Sequence, residues 1–308
     1  MRAEQTASAL APHAATCLTR TVKTRFIVNP HSGRALRALA AVRVFAGQQG
    51  ATVVLTERPG QAAQLAAQAL TDGCALVVAV GGDGTMNEIA GVLTGTGATL
   101  GLVPCGSGDG LGRHLGIHGS LAHTFTVLRS GRSRLIDTGL ADGHPFFTVA
   151  GLGFEAEISA RFNRLAPRGF LRYLTTSATA LRNHVPEIFR ISHVGETVSM
   201  CGFTLAVANA AQYGNAARIA PGALVDDGIL DLVVAPPVTP LNALPLLTRL
   251  FAGTLDRDRS VRRWRGAHFV VERAGPGLIH TDGETHSAGA RVEFTVRPRS
   301  LRVLVPDT

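Results

Sequence analysis

Lysine is almost missing from this chain: Lys23 is the only one in 308 residues, although lysine and arginine together number 30. A Walker A phosphate loop, whose glycines lead into a lysine, is therefore excluded, as is catalysis through a lysine Schiff base. Cysteine is scarce too. Cys17, Cys74, Cys105 and Cys201 form no CxxC pair and no ligand rhythm with the 11 histidines, which argues for a reduced, cytoplasmic chain. Aromatic residues make up only 5%, too few for a base-stacking platform, so nucleic acid is not expected as a partner. No apolar run approaches the roughly 20 residues that cross a bilayer. Residues 1–21 carry Glu4, lack a continuous signal-peptide core and read as a flexible extension.

What is present is an apolar, glycine-rich, basic chain, with hydrophobic residues at 45%, 35 glycines and a formal net charge of +8. Such an excess of positive charge attracts nucleic acid, anionic lipid surfaces or a phosphorylated substrate without choosing among them. The expectation is a protein peripheral at the membrane, docking on its anionic surface. The length exceeds one ordinary hydrophobic core, which predicts two domains with a cleft between them. Oligomeric state is left open, a homodimer included.

Hydrophobic periodicity orders the first half. TRFIVNP at 24–30 and ATVVLT at 51–56 read as strands, each followed by a segment of helical spacing, over 34–49 and 61–70. ALVVAV at 75–80 and ATLGLVP at 98–104 continue the alternation, with a helix at 86–93 between them. Wholly apolar strands are buried on both faces, so an α/β domain with a parallel sheet is predicted over 22–137. Beyond residue 137 short runs such as FTLAVANA, ILDLVVA and VEFTVRP alternate with turn residues, and an antiparallel β-sandwich is predicted over 138–308, with helices near 155–183 and 240–252.

Three glycine-bearing loops follow strands of the first half. GGDGT at 81–85 offers bare backbone N–H groups at a helix start, where phosphate binds readily. Asp83 in its middle would repel phosphate unless it handles a cation or a substrate hydroxyl; the plainer alternative is a helix-capping aspartate. NPHSGR at 29–34 presents Asn29, Ser32 and Gly33 at the same sheet edge, and by itself is ordinary turn chemistry. PCGSGDGLGRHLGI at 104–117 is the third such loop.

Together with the stretch at 208–233 and TDGE at 281–284, these motifs in this order resemble the diacylglycerol kinase catalytic family, which includes bacterial lipid kinases, sphingosine kinases and ceramide kinases. The resemblance implies an N-terminal domain similar to NAD kinases and 6-phosphofructokinases, a C-terminal β-sandwich, and ATP in the cleft. It implies nucleotide contacts at Asn29, Ser32, Gly33, Thr56, Gly81, Gly82, Gly84, Thr85, Glu88, Gly106 and Ser107. It further implies catalytic carboxylates at Asp83, Asp282 and Glu284, and a magnesium ligand at Asp227. The expected reaction is ATP-dependent phosphorylation of a lipid hydroxyl, on diacylglycerol or on a ceramide or sphingoid base.

Two departures matter. Asp109 stands where most relatives carry asparagine, exchanging an amide donor for an acceptor with charge. GLGRHLGI at 110–117 tilts the substrate expectation slightly toward ceramide and sphingoid lipids. A soluble-metabolite kinase of the NAD kinase type and a non-catalytic lipid binder remain the alternatives. The second is opposed by the joint presence of Asp83, Asp282 and Glu284.

Overall fold

The computed structural model describes residues 22–163 and 184–307; the extension expected over 1–21 and most of the helix expected over 155–183 lie outside the described residues. Four strands, β1 (Thr24–Val28), β2 (Thr52–Leu55), β3 (Leu76–Gly81) and β4 (Thr99–Pro104), pair in parallel in the order β2-β1-β3-β4. Between them run helices α1 (Ala35–Gln48), α2 (Gln61–Thr71) and α3 (Asp83–Leu93). Successive side chains of a strand point to opposite faces, and this sheet shows the result directly. Phe26, Val28, Val78 and Val80 pack with Ala38, Val42 and Phe45 of α1, whereas Ile27, Val77 and Ala79 pack with Ala62 and Ala66 of α2 and Met86 and Ile89 of α3. The predicted parallel α/β layer is present.

After β4 come a short helix α4 (Gly110–His114) and α5 (Leu121–Ser130), the latter capped by Ser120, whose hydroxyl accepts from the His123 N–H. The long strand β5 (Arg132–Ala141) then leads through β6 (His144–Phe146) to β7 (Val149–Gly153) and α6 (Phe154–Asn163). Strands β8 (Glu187–His193), β9 (Glu196–Gly202), β10 (Thr204–Ala208) and β11 (Leu230–Ala235) precede α7 (Ala243–Ala252). The chain finishes with β12 (Arg262–Gly266), β13 (His268–Glu272), β14 (Gly277–Thr281), β15 (Glu284–Ala288) and the 15-residue β16 (Arg291–Val305).

Two sheets result. One continues the parallel layer through β16 into β13, β8 and β9, with β5 also paired to β16 and β6 to β5; the other is antiparallel, in the order β12-β11-β10-β7-β14-β15. Their facing sides share one core, in which Phe146, Phe189, Phe269 and Phe294 meet Leu152, Leu205, Leu232 and Ile279. This is the predicted C-terminal antiparallel sandwich. The halves are more entangled than a boundary at residue 137 implies. That residue lies inside β5, and β16 returns from the C-terminal half to pair in parallel with β4 at Arg302 and Thr99. The loops after β1, β3 and β4 thereby sit against the β7 and β14 ends of the sandwich.

Candidate functional site

The three glycine loops meet at the carboxyl edge of β1, β3 and β4 because their backbones bond to each other. The Cys105 N–H donates to the Gly81 carbonyl at 2.7 Å, the Arg34 N–H to the Cys105 carbonyl at 2.8 Å, and the Asn29 N–H to the Val80 carbonyl at 3.0 Å. No room is left for side chains between them. Gly33 has φ +48°, and a Cβ there would stand 2.0 Å from the Cys105 carbonyl oxygen. A Cβ on Gly106 would stand 2.8 Å from the Gly82 Cα. The result is a bare-backbone cradle of the kind that admits a polyphosphate chain.

The expected nucleotide contacts divide into two groups. Ser32, Gly33, Gly82, Gly84, Gly106 and Ser107 lie on the loops of the cradle, with Gly33, Gly84 and Ser107 exposed. Asn29, Thr56, Gly81 and Thr85 instead hold the loops from below. The Asn29 amide donates to the Thr85 hydroxyl at 3.1 Å and accepts from the His31 N–H at 3.1 Å, while Thr56 is buried and bonds Val28 through its N–H. Glu88, expected as a nucleotide contact, has protein partners of its own. Its carboxylate accepts from the N–H groups of Gly60, Ala62 and Ala63 at 3.1, 2.9 and 3.3 Å, so it caps α2 from outside. The N-cap Gly60 has no side chain to satisfy those orphan donors, and Glu88 supplies the missing acceptor.

The carboxylates have equally distinct environments. Asp83 opens α3, and its two oxygens accept from the Asp109 and Gly110 N–H groups at 2.9 and 2.8 Å, tying the first catalytic loop to the third. Burial raises its pKa, and the charge of Asp282 adds to the rise. Asp109 is left-handed, at φ 50° and ψ 46°, a conformation that aspartate and asparagine tolerate. Its Oδ1 accepts from the Gly106 N–H at 3.0 Å, and burial together with the charge of Asp83 pushes its pKa up to about 6.

Asp282, expected among the catalytic carboxylates, builds a turn. With Asp282 at φ 51° and Gly283 at φ 89°, the two form the tight turn between β14 and β15. The buried carboxylate accepts from the N–H groups of Phe147, Thr148 and Val149 at 2.7, 2.8 and 3.0 Å, and from the Thr148 hydroxyl. It therefore positions the turn on the start of β7, with each of its oxygens already accepting from a backbone N–H. Glu284, the next residue but one, is different: its side chain stays open to solvent and, among the described residues, its carboxylate has no hydrogen-bond or ion-pair partner. Partial burial raises its pKa, and the negative charges of Glu88 and Asp282 raise it further.

Asp227, expected as a magnesium ligand, makes an ion pair. Its carboxylate lies 2.5 Å from Arg265 Nη2 and accepts from the Ile229 N–H, so a guanidinium meets its charge. Among the described residues no group of three or more His, Cys, Asp or Glu side chains is arranged to hold an ion. Sequence reasoning also missed a buried relay behind the turn. Glu155 on α6 accepts from the Tyr213 hydroxyl and lies 3.1 Å from His280 Nε2, while His280 Nδ1 accepts from the Gly283 N–H at 3.4 Å. Its members are 58 to 125 residues apart, so no local pattern announces them.

Comparison with known proteins follows the same outline. Residues 23–141 match the model of the diacylglycerol kinase catalytic domain, and residues 148–305 that of the YegS C-terminal NAD kinase beta sandwich-like domain. A probable lipid kinase, YegS-like, from Pseudomonas fluorescens is 31% identical over 83% of this chain and 85% of its own length. A diacylglycerol kinase from Mycobacterium tuberculosis is 29% identical over 92% of this chain and 95% of its own. An uncharacterized Synechocystis protein is 30% identical over 76% of this chain, which spans 56% of that protein. Among solved structures, a putative diacylglycerol kinase from Bacillus anthracis superposes with a TM-score of 0.78 at 19% identity, covering 93% of this chain and 96% of that one. An NAD kinase from Archaeoglobus fulgidus in complex with ATP does so at 0.56 and 12% identity, covering 92% and 94%, a likeness of fold.

Proposed function

Because the chain belongs to the diacylglycerol kinase catalytic-domain family of lipid kinases, we propose that it transfers the γ-phosphoryl group of ATP to the free hydroxyl of a diacylglycerol-type lipid, with Glu284 as general base. The observation that carries this reading is the division of labour among the carboxylates. Asp83, Asp282 and Glu88 are held by backbone N–H groups, whereas Glu284 keeps its oxygens for an acceptor. In the step itself the hydroxyl proton passes to Glu284, the new oxygen–phosphorus bond forms, and the bond to the β–γ bridging oxygen breaks with ADP leaving. Backbone N–H groups of the cradle offset the phosphate charge, and Asp83 holds the 106–110 loop in place.

The acceptor is assigned to the diacylglycerol type because the feature favouring sphingoid lipids has another explanation. Leu111, Leu115 and Ile117 are core residues, Arg113 donates to the Gly108 carbonyl at 2.8 Å, and His114 accepts from the Ala211 N–H at 3.2 Å. The 110–117 segment is thus used in packing. A relative matched over nearly its full length is named a diacylglycerol kinase. The test is radiolabelled ATP offered with diacylglycerol, monoacylglycerol, ceramide, sphingosine and NAD in parallel. Label in diacylglycerol above every other acceptor is expected. Label in NAD with none in any lipid contradicts the proposal, and label confined to ceramide or sphingosine contradicts the acceptor assignment.

A further inference from the structure

Helix α7 is anomalous in a well-packed protein. Its sequence ALPLLTRLFA contains five leucine or phenylalanine residues besides the proline and arginine that interrupt them, yet none of its residues is buried. Leu246 and Leu250 lie one turn apart and rest on the outer face of the six-stranded sheet, against a core of Val149, Ala206, Ala208 and Val233. The adjoining stripe faces outward. Leu241 is 90% exposed just before the helix, Leu244 67% and Leu247 41%. Large apolar side chains gathered on one exposed face mark an interaction surface.

The charge beside this stripe identifies the partner. A 3₁₀ turn at Leu255–Arg257 packs on α7 through Leu255, and Arg249 of the helix pairs with Asp258 at 3.3 Å just beyond it. Arg257 closes that turn and Arg259 and Arg262 follow, all three exposed and outnumbering the exposed Asp256 beside them. An apolar helix face flanked by arginines is the arrangement that inserts leucines among acyl chains while guanidinium groups meet anionic headgroups.

The position fits that task. Arg218 donates its N–H to the Leu250 carbonyl at 2.9 Å, and the loop carrying it continues to Tyr213 and Gly214. Gly214 bridges to Asp109, and the Tyr213 carbonyl lies 2.5 Å from where a Cβ on Gly110 would sit. One loop, 211–218, therefore separates the helix from the glycine cradle.

We propose that α7 and the arginines at 257–262 form the surface by which the protein docks on an anionic bilayer, setting the cleft beside its lipid acceptor. The reason for docking rests on the lipid kinase reading, but the binding test does not. Sedimentation of the full chain with vesicles of phosphatidylcholine and phosphatidylserine, and with phosphatidylcholine alone, measures it. Wild type is expected to pellet with the anionic vesicles at low salt and less as salt rises. Leu244→Glu/Leu247→Glu should lower the partition coefficient at least about tenfold, and Arg257→Ala/Arg259→Ala/Arg262→Ala should remove most of the salt dependence. Val194→Glu, at an exposed turn of the β8–β9 hairpin, should change neither. Because these leucines are exposed, the variants should unfold at the wild-type temperature; Leu244→Gln/Leu247→Gln serves if they do not. Pelleting of the leucine variants equal to wild type overturns the proposal, as does equal wild-type binding to both vesicle types. If wild type pellets as expected but phosphorylates no lipid, the docking surface stands and the activity reading fails. If a water-soluble short-chain diacylglycerol is phosphorylated equally by wild type and leucine variants while pelleting falls, both stand.

Discussion

At the scale of single residues, the site is governed by where each carboxylate finds its hydrogen bonds. Asp83 and Asp109 are neighbours in a buried loop junction, and the charge of Asp83 adds to the cost that burial puts on ionising Asp109. For Asp109 the folded state holds its proton up to about pH 6, against an ordinary value of 3.8, so folding takes up a proton between those values. Stability from this group is full below the ordinary value and is lost as pH rises through about 6. Asp109→Asn keeps the acceptor for the Gly106 N–H and tolerates the left-handed backbone, but carries no charge. The variant should therefore gain on wild type as pH rises, by up to about 3 kcal/mol at pH 7.5 and little at pH 4. Urea unfolding at the two pH values measures this. A variant less stable than wild type at pH 7.5 would show that a cation already compensates the Asp109 charge.

At the scale of elements, the glycine loops behave as a unit whose parts are not equally sensitive. Gly106 and Gly82 touch backbone to backbone, so Gly106→Ala must push two loops apart; a loss of about 1–3 kcal/mol is expected, with weaker ATP binding. Gly84 lies in the same motif on the first turn of α3 with nothing within 4 Å of its Cβ position. Gly84→Ala should leave stability unchanged or raise it by up to about 1 kcal/mol. Thermal unfolding with and without ATP distinguishes them, and equal damage from both substitutions would contradict the packing account. The strands, helices and loops of this half were legible because apolar runs and glycine clusters are local signals. The capping role of Glu88 was not legible for the converse reason: it sits in the signature segment, but its partners are N–H groups at the start of α2, 25 to 28 residues earlier. TDGE was readable as a turn and as a site motif, and only the fold shows Asp282 building the turn while Glu284 is left beside it. The Glu155–Tyr213–His280 relay has no sequence signature at all, since three separate elements create it.

At the scale of the whole molecule, one long strand accounts for the site's assembly. β16 is shared by the parallel layer and the sandwich, so the glycine cradle and the β14–β15 turn are fixed in one framework. The charge of Asp282 is felt at both Asp83 and Glu284, the expected carboxylates from the two halves. The central claim is that Glu284 removes the acceptor's proton in this framework. Turnover of Glu284→Gln at saturating ATP and diacylglycerol in mixed micelles tests it most directly, with thermal unfolding and ATP binding measured on the same preparation. The account predicts an intact, ATP-binding protein whose turnover falls at least about 100-fold; retention of more than about a third of wild-type turnover would contradict it and return the role of base to Asp83.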